Sequence, residues 1–250
     1  MKIGVFDSGL GGLTILNAIR VRLPEYDYIY YGDTKNLPYG DKTEEEIYEL
    51  TKCAVIELFE RGALLVIVAC NTASAESLRR LQETIFEGAY QGRKILGVII
   101  PTIETVLDDN HRNVLLIGTR RTIESKKYIK ELLKRDGGHI FLTSIATPVL
   151  VPLIESGEIE VALKYLMTLI PTVGEVESII LGCTHYTVLK NGLRREFPGL
   201  RIISQDELIP MKLESYLRAH PEIESELTRA KSYVRIITGD EPGRINSARE

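Results

Sequence analysis

Apolar residues in this chain come in short unbroken runs more often than in alternation with polar ones. Leu64-Leu65-Val66-Ile67-Val68-Ala69 sets six in a row and stops at Cys70, followed by Asn71, Thr72, Ala73 and Ser74. A run of this kind predicts a strand buried on both faces, the environment of a central parallel strand. Thr72 or Ser74 can cap the helix-like stretch that continues to about residue 86. The arrangement recurs at Ser178-Ile179-Ile180-Leu181-Gly182, which runs into Cys183-Thr184-His185-Tyr186 and a helix to about residue 196. Further strands are expected at 2–6, 28–31, 95–100, 113–117, 139–142, 200–203 and 233–237, with segments of helical period between them. Alternating strands and helices call for parallel sheets covered by helices on both faces, an α/β fold. Two halves that each carry a cysteine after a central strand predict two pseudo-symmetric lobes, each a mostly parallel sheet flanked by helices. A ligand then lies between them, at the carboxyl ends of both sheets.

Shorter signals refine this outline. The turn Asp7-Ser8-Gly9-Leu10-Gly11-Gly12 is glycine-rich. A dinucleotide fingerprint starting at Gly9 requires glycine where Thr14 stands, and no Walker A loop occurs. The alternative is that these glycines let the backbone close on a small ligand. Asp7 either caps the following helix or faces the crevice, and the two roles are compatible. The loop from Gly32 to Gly40 is too long for a plain connector; Tyr39-Gly40 within it lines a site or serves only the loop. Thr43 and Glu46 form a capping box that opens a long helix. Cys53 is expected on the apolar face of that helix with Ile47 and Leu50, as a buried structural thiol. A polar turn is expected from Gly88 to Lys94, and a loose polar tail from Glu241 onward.

Composition narrows the function classes. The 250 residues suffice for one large α/β domain or two smaller lobes, and 44% hydrophobic with 26% charged residues supports a packed core. A net charge of −4 with no basic block argues against nucleic acid as a partner. Met1-Lys2 leads straight into the first strand, and no apolar run approaches the roughly 18 residues that span a bilayer. A cytoplasmic protein without a membrane segment is expected. Three cysteines are not a disulfide framework, and no CxxC or HxxxH spacing marks a metal site.

Two thiols in matching contexts limit the chemistry. Redox pairs usually sit close in sequence, and these do not. A nucleophilic enzyme needs one cysteine and a base, leaving the second spare. Inverting a stereocentre differs: one group removes a proton from one face, and another supplies a proton to the opposite face. Similar groups on opposed lobes meet that demand, with His185 and Asp7 placed as polar helpers.

Asp7-Ser8-Gly9 with Gly11-Gly12, Pro38-Tyr39-Gly40, Ala69-Cys70-Asn71-Thr72-Ala73-Ser74, Gly118-Thr119, Val151-Pro152-Leu153-Ile154-Glu155 and Gly182-Cys183-Thr184-His185-Tyr186 together resemble the glutamate racemases, in order over nearly the whole chain. The resemblance implies racemisation of glutamate by two bases without a cofactor, supplying D-glutamate for peptidoglycan. It implies that Cys70 acts on D-glutamate and Cys183 on L-glutamate, assisted by Asp7 and His185 respectively. Glu155 would support the histidine. Ser8, Pro38, Tyr39, Gly40, Asn71, Thr72, Thr119, Thr122, Thr184 and His185, with Asp7, would bind substrate. Aspartate racemases of the superfamily typically carry Glu where His185 stands, which favours glutamate. The family's C-terminal segment returns to the first lobe, implying lobes of 1–96 plus 206–250 and of 97–205. Homodimers are usual. Thr187-Val188 replaces a common Pro-Leu, and Ser204-Gln205-Asp206-Glu207 departs from the usual pattern. The competing readings are an aspartate or broad-specificity racemase, a one-cysteine decarboxylase, which the second cysteine argues against, and a two-lobed amino-acid-binding module without turnover.

Overall fold

The apolar runs become strands, and the strands fall into two separate parallel sheets. A computed structural model describes residues 1–85 and 90–239. The first part of the chain forms β1 (Lys2–Asp7), α1 (Gly12–Arg22), β2 (Tyr28–Gly32), α2 (Glu44–Glu60), β3 (Ala63–Val68), α3 (Asn71–Glu76), α4 (Leu78–Thr84) and β4 (Lys94–Gly97). Then come α5 (Ile99–Asp108), β5 (Asn113–Gly118), α6 (Arg120–Glu124), α7 (Lys127–Asp136), β6 (Phe141–Ala146), α8 (Leu150–Glu155), α9 (Ile159–Leu169), β7 (Ser178–Gly182), α10 (Lys190–Glu196) and β8 (Arg201–Ile203). The chain closes with α11 (Gln205–Ala219), α12 (Pro221–Glu224) and β9 (Tyr233–Ile237).

The first sheet has the order β4-β3-β1-β2-β9 and the second β6-β5-β7-β8, with parallel pairing throughout. Each sheet reverses its direction of winding once. β2 lies on one side of β1 and β3 on the other; β6 lies on one side of β5 and β7 on the other. Reversal points open a crevice at the carboxyl ends of the two strands concerned. Asp7 ends β1 and Cys70 follows β3 there, while Thr119 and Cys183 follow β5 and β7.

Side chains alternate along the strands between two apolar layers. Ile3, Val5, Leu65 and Ile67 of the first sheet share one buried cluster with Val114, Leu116 and Ile180 of the second, through residues of α1, α5 and α11. Phe6, Val66, Val68 and Cys70 face the opposite side, under α2. Leu115, Ile117, Ile179, Leu181 and Cys183 do the same under α9 and α10. The sheets are thus joined through a common inner layer, and each cysteine closes an outer one.

Several expected boundaries move. β4 stops at Gly97 instead of residue 100, and Pro101 is the third residue of α5, where the missing N–H has no helical partner to lose. β6 runs over 141–146 in place of 139–142, and the helix expected from Tyr186 opens as a 3₁₀ segment, Thr184–Leu189. The helix after β3 is interrupted at Ser77, whose hydroxyl turns to Thr51. Cys53 is exposed, not buried. The inward stripe of α2 is Ile47, Thr51, Ala54, Val55 and Leu58, and steps of three from Ile47 drift off it by roughly 60° each. The tail from Glu241 and the start of the turn at Gly88 lie outside the described residues.

The glycine-rich turn closes on protein rather than on a ligand alone. A Cβ on Gly11 would sit 2.6 Å from Thr184 Oγ1 and 3.0 Å from the His185 backbone nitrogen. Only a residue without a side chain lets the turn after β1 touch the segment after β7. Gly11→Ala is therefore expected to force the two strand ends apart, lowering stability by about 1–3 kcal/mol and any turnover that needs both strand ends at least tenfold. Thermal unfolding and steady-state kinetics check this.

Candidate active site between the two sheets

The two reversal points face each other across one cavity of about 250 Å³. Its wall includes Ser8, Pro38, Tyr39, Gly40, Cys70, Asn71, Thr72, Thr119, Glu155, Cys183, Thr184 and His185. These are sites the sequence singles out, converging from six separate segments. Asp7 and Thr122 lie directly behind the wall. Val151, Pro152 and Tyr186, from the same motifs as Glu155 and His185, complete the lining with Leu37, Asp41, Arg120 and Pro148, and these last four bear no local signal that separates them from ordinary loop or helix residues. The volume is small beside the 300–1,000 Å³ typical of drug-sized ligands and suits a single small molecule.

Cys70 is the residue before α3 and is 5% exposed. Its thiol donates to Ser8 Oγ at 3.3 Å. Burial first, and then the negative charge of Asp7, push the Cys70 thiol up to about 12. A neutral thiol is therefore its resting form, and a thiolate formed there is a strong base. The Cys183 sulfur also contributes to that shift, so the two thiols sense each other across the cavity.

Asp7 is fully buried at the end of β1. Its Oδ2 accepts from the Gly9 and Gly12 amides, both at 3.1 Å, which anchors the turn and the start of α1. Its Oδ1 accepts from Thr184 Oγ1 at 3.2 Å, a hydrogen bond from one sheet's strand end to the other's. One carboxylate thus holds the first amide of α1 and reaches the strand end of the other sheet, from behind the cavity wall. Tyr30 ties the same turn down by donating to Gly9 O at 2.7 Å.

On the other side, Cys183 Sγ lies 3.8 Å from His185 Nδ1, and His185 Nε2 lies 3.1 Å from Glu155 Oε1. Burial alone would lower the His185 pKa. The adjacent Cys183 sulfur and the Glu155 carboxylate outweigh it and raise His185 to about 11. The histidine hydrogen bond in turn lowers Glu155. His185 is thus an imidazolium at neutral pH, a counter-charge beside Cys183 whenever that sulfur is negative.

The remaining polar groups bridge the sheets. Thr72, Thr119 and Thr122 form a triangle of hydroxyls with edges of 2.9, 3.1 and 2.9 Å. Tyr39 donates to the buried Asp33 carboxylate at 2.7 Å, which also accepts from Asn36 and Thr238. Burial, then that carboxylate, raise the Tyr39 pKa, so it stays a phenol. Asp33 holds the loop that carries Pro38, Tyr39 and Gly40 into the wall.

Against known proteins, the Asp/Glu/Hydantoin racemase model matches residues 14–208. The chain belongs to that family. The glutamate racemase of Ruegeria sp. (strain TM1040) is 38% identical over 89% of this chain and 87% of its own. That of Aquifex aeolicus (strain VF5) is 38% identical over 87% and 84%. Among solved structures, the glutamate racemase of Francisella tularensis subsp. tularensis SCHU S4 in complex with D-glutamate superimposes with a TM-score of 0.83 at 28% identity, covering 96% of this chain and 89% of that one. The racemase fold of two parallel sheets flanked by helices is the one present here. Among the described residues no cluster suited to a metal ion occurs, and no helix is long and apolar enough to cross a membrane.

Two shifted groups set a pH trend. His185 and Cys70 both have folded pKa values above their unfolded ones, near 6.5 and 8.5. Their stabilisation is complete below those unfolded values and is lost as pH rises towards about 11 and 12. Denaturant midpoints are expected to fall steadily from pH 7 to pH 10. His185→Asn is expected to flatten that fall by up to about 1.4 kcal/mol per pH unit, one proton's worth. Urea titrations across the range measure it.

Iodoacetamide provides a second check. Exposed Cys53 is expected to react at least tenfold faster than buried, protonated Cys70, as read by peptide mass mapping.

Proposed function

We propose that the cavity interconverts L- and D-glutamate by passing a proton between the Cα of the substrate and the two thiols, with no cofactor taking part. The observation that carries this reading is the opposition of Cys70 and Cys183 on two strand ends across one small cavity. With L-glutamate bound, the Cys183 thiolate takes the α-proton from one face. The Cys70 thiol delivers its own proton to the other face, leaving D-glutamate, a Cys183 thiol and a Cys70 thiolate. The reverse reaction runs from that state. A thiol near 12 at Cys70 and an imidazolium beside Cys183 make the resting protein ready for the L-enantiomer. Ser8 can donate to the Cys70 thiolate after the transfer.

The carbanionic intermediate has no pyridine ring to delocalise into, so fixed donors must stabilise it. The threonine triangle and Ser8 supply hydroxyl donors for this, and their internal hydrogen bonds hold them in place beforehand. Dicarboxylate substrates fit the names of the relatives and the presence of His185. The reading extends to a cytoplasmic homodimer that provides D-glutamate for peptidoglycan.

The test is proton NMR of L-glutamate in heavy water with metal-free, pyridoxal-free protein, alongside optical rotation. Loss of the α-proton signal with decay of rotation towards zero is expected, and L-aspartate is expected to react far more slowly. Cys70→Ala and Cys183→Ala are each expected to lower racemisation at least about 10³-fold, within the range of general acid–base contributions, with circular dichroism unchanged. Full turnover in either variant would falsify the two-thiol mechanism.

A further inference from the structure

Behind Asn71 lies a polar network that the family motifs do not mark. Asn71 is the first residue of α3 and adjoins Cys70. Its side-chain amide meets that of Gln205, the first residue of α11, in a closed pair. Asn71 Nδ2 donates to Gln205 Oε1 at 2.7 Å, and Gln205 Nε2 donates to Asn71 Oδ1 at 2.8 Å. Tyr128 of α7 donates its hydroxyl to the same Asn71 Oδ1 at 2.7 Å. The second proton of Gln205 Nε2 lies between Tyr128 OH at 3.2 Å and Thr102 Oγ1 of α5 at 3.4 Å. Asn71, Gln205, Tyr128 and Thr102 are 2%, 1%, 1% and 0% exposed, so water does not compete for these bonds.

The orientation of the network follows from its members' donor and acceptor capacities. Thr102 spends its only proton on Val98 O at 2.7 Å, so towards Gln205 it can only accept. The atom facing it must then be the Gln205 nitrogen. That puts Gln205 Oε1 against Asn71 and makes the facing Asn71 atom its nitrogen. Asn71 Nδ2 has two protons and, among the described residues, gives only one away. The other remains on a side chain that lines the cavity.

We infer that Gln205, supported by Tyr128, is a positioning residue for substrate: it locks the Asn71 amide so that its remaining N–H is offered to a substrate carboxylate. This rests on glutamate being the molecule bound. The lock draws on helices α5, α7 and α11, so it also makes the donor's position depend on how the two sheets seat against one another. A rotated Asn71 would present its oxygen to the carboxylate, a repulsive contact. Because the carboxylate is bound before and during proton transfer, the effect falls on binding rather than on the chemical step.

The decisive measurement is a double-mutant cycle read as KM against kcat in both directions. Gln205→Met keeps the bulk and removes both amide partners. It is expected to raise KM for L- and D-glutamate at least tenfold while kcat changes less than threefold. Asn71→Ala is expected to raise KM comparably, and Gln205→Met added to it to do nothing more, since Gln205 acts only through Asn71. A wild-type KM in Gln205→Met, a KM increase that multiplies with that of Asn71→Ala, or a loss confined to kcat and thermal midpoint overturns the inference. Should Gln205→Met fail to fold, Tyr128→Phe removes a single hydroxyl and keeps the ring. It is expected to raise KM at least threefold, an effect absent in the Asn71→Ala background; an unchanged KM overturns the inference equally. Wild-type turnover of glutamate beside an unaltered Gln205→Met protein defeats the positioning role alone. A wild-type protein inert towards glutamate defeats the racemase reading with it.

Discussion

The structure depends on one shared apolar layer. Ile3, Val5 and Ile67 of the five-stranded sheet and Val114, Leu116 and Ile180 of the four-stranded sheet bury into the same cluster. Burial of that layer sets the two carboxyl edges opposite each other, and neither edge carries a complete site. One brings Asp7, Ser8, Cys70 and Asn71; the other brings Thr119, Cys183, Thr184 and His185. Where the edges touch, contact is polar and short-ranged: Thr184 on the Asp7 carboxylate, the threonine triangle, and Gly11 against the Thr184–His185 backbone. Apolar burial supplies the adhesion, and these directional contacts set the register.

Burial also differentiates two chemically identical groups. Both cysteines end a central strand and both close an outer apolar layer. Cys70 lies in a dry setting beside the Asp7 charge, and both oppose ionisation of its thiol, which the Ser8 hydroxyl offsets only in part. Cys183 has an imidazolium held by Glu155. Two sulfurs in matching positions of the fold thus lie in opposite electrostatic surroundings. The fold is pseudo-symmetric and its electrostatics are not.

Much of this was legible in the residues. Cys70 and Cys183 announce themselves because a doubly buried strand leaves an unbroken apolar run, and the first polar residue after it marks the strand end. The capping box at Thr43 and Glu46 forms as its spacing implies. Failures have equally local causes. Cys53 is exposed because steps of three residues mimic a helical face over two turns and then drift away from it. The apolar run before Pro101 divides between β4 and α5 because proline is welcome in the first turn of a helix. The glycine-rich turn puts Ser8 on the cavity, and Gly11 within it also makes room for the other half of the protein, which its composition does not reveal.

What the sequence by itself determined, then, is the succession of parallel strands and helices and the two strand-end thiols with their flanking polar residues. Each of these is written in periodicity and neighbour identity over fewer than about ten positions. The tertiary structure alone decided that Asp7 bonds to Thr184, that Asp33 holds Tyr39 in the wall, and that Gln205 grips Asn71 from 134 positions away. It also raised the Cys70 and His185 pKa values. Long-range hydrogen bonds and desolvation depend on which surfaces meet after the shared core closes, and no stretch of chain carries that information locally.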